Sequence, residues 1–138
     1  MRAVVALLFS LSIVGCGRIE RTSECRSFAK TVNAELDELA PLVDAGTDGG
    51  KNDADLAKRY AALAEKIRGF KFSEPAADKT KTEYADLMQD TSKALEARAH
   101  AEKAGDRTAV PRTRTTFAQI QRREKMLVAR LDSQCESP

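Results

Sequence analysis

Three cysteines, one histidine and one carboxylate-rich loop are the residues of this 138-residue chain whose types and spacing suit chemistry. Cys16, Cys25 and Cys135 are separated by nine and then 110 residues. No C-x-x-C pair is present to make a redox centre or half of a zinc site. His100 has Glu96 one turn before it, and both can lie side by side on a helix surface. Zinc asks for three or four ligands, and Ala97 stands where a di-iron bundle would carry the Glu of its Glu-x-x-His pair. His100 is therefore read as an exposed helical residue. The loop DAGTDGGKNDAD, residues 44 to 55, has the length of an EF-hand calcium loop, with Asp44 first, Asp48 fifth, Gly49 at the turn and Asp55 last. Gly46 stands where a ligand belongs, Lys51 where an apolar residue belongs, and Asp55 is too short for the bidentate closing Glu. The loop reads as a solvated connector. No G-x-S-x-G and no grouping of nucleophile, base and acid is visible. The expectation is a protein that is not an enzyme and holds no cofactor or metal.

Cys16 has a different context. Behind Met1-Arg2 the chain is apolar from Ala3 to Val14, broken only by Ser10 and Ser12. Twelve residues are too few for a transmembrane helix, which needs about 20. One positive residue, a short apolar run and small residues at its end make a secretory signal. Ile13-Val14-Gly15-Cys16 resembles the lipobox of bacterial lipoproteins. That resemblance implies cleavage after Gly15 and acylation of Cys16, so residues 1–15 are a signal peptide and Cys16 is the lipid anchor. Each buried methylene is worth about 0.8 kcal/mol, so two or three chains on one residue hold firmly. Gly17 is not the Asp that such proteins use for inner-membrane retention. The resemblance thus implies the cell envelope, and in a diderm cell the outer membrane facing the periplasm. Residues 16–23 read as a short polar tether that keeps the domain close to the membrane, its partner through the anchor.

The 123 residues from Cys16 onward suffice for one domain with a real core. They carry 22 Lys and Arg against 21 Asp and Glu. That balance argues against a dedicated nucleic-acid binder, which would be strongly basic. The alanine-, leucine-, lysine- and glutamate-rich composition favours helices.

Four helices are predicted for the domain over 24–138. The first runs over 24–44, with Cys25, Phe28, Val32, Leu36, Leu39 and Val43 at helical spacing and Pro41 as a kink or a frayed turn. The second covers 53–68, with Leu56, Tyr60, Leu63 and Ile67 on one stripe, Asn52 or Asp53 as its cap and Gly69 as its stop. The third begins at Pro75, a residue tolerated in a first turn, and runs to Ala104 before Gly105. The fourth covers 112–133 on Phe117, Ile120, Leu127 and Leu131, with Glu124 intruding into its apolar stripe. The third helix, about 45 Å long, should outreach the others. Short loops favour antiparallel neighbours, hence an all-α, up-down-up-down four-helix bundle.

In that arrangement the start of the first helix and the end of the fourth share one end. Both Cys25 and Cys135 extend apolar stripes there, and an exported compartment is oxidising. A Cys25–Cys135 disulfide is expected, closing the bundle. Helix four and its approach carry seven basic and three acidic residues from 107 to 138. Arg112, Arg123 and Arg130 are candidates for contact with anionic headgroups or an acidic partner.

Two functions compete. One is a lipid-anchored envelope protein whose bundle is a structural or protein-interaction module, with an envelope protein as partner. In size and layout the chain is similar to the pilotins of secretion systems, small helical outer-membrane lipoproteins with one disulfide. The other is an envelope lipoprotein that binds a small ligand or ion through the 44–55 loop or a pocket lined by Tyr60 and Tyr84.

Overall fold

The computed structural model describes residues 19–45 and 52–136. Four helices account for nearly all of them: α1 (Ile19–Ala45), α2 (Asp53–Gly69), α3 (Pro75–Lys103) and α4 (Ala109–Glu136). Consecutive helices pack side by side and α4 returns to α1, so the order around the bundle is α1, α2, α3, α4. This is the up-down-up-down bundle that the periodicity predicts. The packing is uneven. α2 and α3 are the most closely associated pair, and α1 is the most loosely held, chiefly against α2.

The helix ends follow from local chemistry. Pro75 occupies the first turn of α3, and the Glu74 carboxylate accepts the Ala76 N–H at 3.1 Å. α2 stops at Gly69, where Phe70 turns extended. α3 ends in a Schellman turn: the Gly105 N–H donates to Glu102 O at 3.1 Å and the Asp106 N–H to Ala101 O at 2.9 Å. Gly105 adopts φ +67°, the left-handed conformation this turn requires. No atom lies within 4 Å of where its Cβ would be, so a side chain would meet backbone strain and no clash. Gly105→Ala is expected to cost about 1 kcal/mol, lowering the melting temperature by a few degrees with no change in the helical circular dichroism of the folded protein.

Several boundaries differ from expectation. α1 starts at Ile19 and not at Glu24, so the described part of the tether, residues 19–23, is helical. No glycine or proline interrupts that stretch. α1 also continues past Pro41 to Ala45; Pro41 is exposed, near the helix end. α4 extends from Ala109 to Glu136, which places Cys135 inside the helix and not beyond it. α1, α3 and α4 have 27, 29 and 28 residues, so α3 does not overhang; α2, with 17, is the short member.

The core holds Leu39, Leu56, Leu63, Ile67, Leu87, Met88, Leu95, Leu127, Val128 and Leu131, with alanines at 57, 64, 77 and 85 that let α2 and α3 approach closely. At one end sits an aromatic group. The Phe28 ring packs on Phe70 at 5.2 Å, Phe72 at 5.3 Å and Tyr84 at 6.5 Å between centroids. The Cys25–Cys135 disulfide closes the same end. Around it the Lys81 side chain, only 3% exposed, donates to Phe70 O at 2.9 Å and to the Asp78 carboxylate at 3.0 Å. Asp78 also accepts the Phe72 N–H at 3.2 Å. The Lys81 ammonium first, then that N–H, hold the Asp78 carboxyl below its ordinary range. Glu24 accepts both the N–H and the hydroxyl of Ser73 at 3.0 Å, tying α1 to the α2–α3 turn.

Candidate functional site

The residues singled out in the sequence fall into different places. Cys16 and the signal segment lie outside the described residues, as does Asp48. Of the calcium-loop positions, Asp44 belongs to the last turn of α1 and Asp55, exposed, to the first turn of α2. Asp53, in the same segment, is fully buried and paired with Arg98 across the α2–α3 interface. His100 is exposed near the end of α3. Among the described residues no cluster of three or more His, Cys, Asp or Glu is arranged to hold a metal.

The arginine candidates on α4 are all engaged by acids of this chain. Arg112 reaches Asp106 at 3.2 Å and the Thr108 hydroxyl at 3.1 Å, Arg123 reaches Asp90 at 2.8 Å, and Arg130 reaches Glu83 at 2.7 Å. Arg123 and Arg130 therefore link α4 to α3. Exposed pairs of this kind are each worth about 0–1 kcal/mol, and salt weakens them. At the other end of the Arg112 pair, the Asp106 carboxyl is held below its ordinary range, first by the Thr108 hydroxyl and then by the Thr108 N–H.

Glu124 does intrude into the apolar face of α4. It sits in the bundle near two tyrosines from other helices: the Tyr84 hydroxyl donates to its Oε1 at a long 3.5 Å, and its charge acts on Tyr60. Burial first, then this carboxylate, push both phenols above their ordinary range. Burial also raises the Glu124 carboxyl from its ordinary 4.5. Since the folded value exceeds the unfolded one, the group favours folding fully below about pH 4 and loses that contribution as pH rises through the folded value. At neutral pH the buried charge opposes folding. Glu124→Gln keeps an acceptor for Tyr84 and is expected to stabilise the protein by about 1 kcal/mol at pH 7. Urea unfolding at pH 7 and pH 5 should show the gain shrinking with acidity.

An apolar opening lies along the seam of α1 and α4. Cys25, Phe28, Ala29, Val32 and Leu36 line it from α1, Val128, Leu131 and Cys135 from α4, with Tyr84 at its floor. Asn33 and Asp132 are its polar lining. Its cavity is about 30 Å³, room for a water or two or for the tip of one side chain. It is lined by Tyr84 and not by Tyr60. A second, shallower depression between α3 and α4 is bordered by Asp90, Lys93, Thr116, Gln119 and Arg123 over an Ala94 and Ile120 floor.

No family model, curated protein or solved structure matches this chain.

The seam and its half-buried carboxylate could not be found from periodicity. Asp132 falls one residue after Leu131, off the apolar spacing of α4, and its place in the seam is seen only in the packed structure. The Asp53–Arg98 pair is equally hidden in the sequence, where an Asp at a helix start suits a cap.

Proposed function

We propose that this protein is a lipid-anchored component of the cell envelope, acylated on Cys16, whose helical bundle serves as a protein-interaction or structural module. The observation that carries the reading is the Cys25–Cys135 disulfide. Such bonds persist in oxidising compartments outside the cytoplasm, and this one follows a segment with the lipobox-like Ile13-Val14-Gly15-Cys16. Among the described residues no helix is long and apolar enough to cross a membrane, so attachment rests on the acyl group.

In this reading the disulfide end of the bundle stands nearest the bilayer, because Cys25 is nine residues from Cys16. The partner is another envelope protein reached from that position. For Arg112, Arg123 and Arg130 to contact headgroups or an acidic partner, each would have to exchange an internal carboxylate for an external one. We assign no catalytic step.

Mass spectrometry of the native chain tests the anchor. An acylated Cys16 at the amino terminus is expected, with Cys16→Ser left unmodified and released from membranes. An unmodified Met1 start, or a free thiol at position 16, overturns the reading. Crosslinking in native membranes tests the partner: recovery of one defined envelope protein supports the module, and a bound small molecule with no protein partner favours the ligand-binding alternative.

A further inference from the structure

This bundle neutralises its interhelical acids internally. Asp53 is met by Arg98, Asp86 by Arg68, Asp90 by Arg123, Glu83 by Arg130 and Glu35 by Lys66. Two acids whose carboxyls burial raises are not met by a cation among the described residues: Glu124, which receives only the Tyr84 hydroxyl, and Asp132 on the α1–α4 seam. Asp132 lines the α1–α4 groove, is partly buried, and makes no ion pair or hydrogen bond among the described residues. Burial, and then the neighbouring Glu136, raise its carboxyl above the ordinary range. Among the described residues no cation offsets either effect. Beside it lies an apolar recess formed by Ala29, Val32, Val128 and Leu131. An aliphatic recess with an uncompensated carboxylate on its edge is complementary to an aliphatic side chain presented next to a cation.

We propose that the α1–α4 groove is a docking site for a helix of a partner protein that inserts one aliphatic side chain and sets a lysine or arginine against Asp132. The inference rests on the interaction-module reading and specifies the chemistry of the partner. The loose association of α1 makes the seam the place where a small outward shift of one helix enlarges the recess without disturbing the α2–α3 core. Helix-in-groove recognition takes its affinity from such apolar anchors, and the charge fixes the register.

The test uses the disulfide-bonded protein and two amphipathic probes, a short leucine–lysine peptide and its leucine–glutamate counterpart, followed by NMR titration. The lysine peptide is expected to shift Ala29, Val32, Val128 and Leu131, and to bind at least about tenfold more tightly than the glutamate peptide. Asp132→Asn should remove most of that preference, whereas Asp55→Asn, on the exposed start of α2, should leave it intact. Equal binding of both probes, shifts confined to another face, no binding, or an unchanged preference in Asp132→Asn would each overturn the proposal. The two readings fail separately: if membrane crosslinking recovers an envelope partner whose yield is unaffected by Asp132→Asn, the module stands and this docking site does not, and if it recovers no protein partner the module reading fails.

Discussion

Replacing both bridging cysteines, Cys25→Ser with Cys135→Ser, is expected to lower stability by about 4 kcal/mol and the melting temperature by about 15 °C. The bond spans 110 residues, and in the chain-entropy account a loop of this length restrains the unfolded state by about 4.7 kcal/mol. The damage should be uneven. α1 is the most loosely packed helix, and near the bond its remaining ties are Phe28 in the aromatic group and Glu24 on Ser73. Hydrogen exchange of the variant should show α1 losing protection first, with α2 and α3 retaining theirs because their mutual interface does not depend on the bond. Equal loss across all four helices would show that the bundle opens as one unit. A melting temperature unchanged by reduction would mean that the reduced unfolded chain is already compact.

Arg98→Met is the second substitution with a large expected cost, about 3 kcal/mol. Asp53 is 0% exposed at the first turn of α2, and the Arg98 guanidinium grips both its oxygens, with Nη2 at 2.6 Å from Oδ1. The same guanidinium lies 4.9 Å from the centroid of the Phe117 ring on α4, so one side chain joins three helices. Removing it leaves a buried carboxylate with no countercharge. Removing both charges, in Asp53→Ala with Arg98→Met, should cost less than Arg98→Met alone, since it eliminates the orphaned acid. Thermal unfolding of the two variants and the wild type decides this; a double variant worse than the single would show that the pair contributes net stability beyond mutual neutralisation.

The helices were legible because their apolar residues recur at steps of three and four. Leu56, Leu63 and Ile67 on α2, and Ile120, Leu127 and Leu131 on α4, are buried as that spacing demands. The disulfide was legible because the bundle topology brings two distant stripe positions to one end. Helix termini were less so. Nothing local distinguishes Glu24 from Ile19 as a start when no breaker separates them, and Ala109 precedes a proline tolerated in the first turn. The partners of charged residues were not legible at all. Whether Arg123 faces a membrane or Asp90 depends on how α4 rotates against α3, which periodicity fixes only to within a residue or so. Position 124 shows the limit clearly: an acid on an apolar stripe signals a conflict, but only the packed structure reveals Tyr84 as its neighbour.

The sulfur bridge near both chain ends also has a mechanical meaning. If the protein is pulled between a point before Cys25 and a point beyond Cys135, tension runs through the covalent link and bypasses residues 26–134. The helices between them would feel almost no stretching force. A single-molecule trap with handles at the two termini should record only a short extension while the bridge is intact, and the full contour length of the bundle once a thiol has opened it.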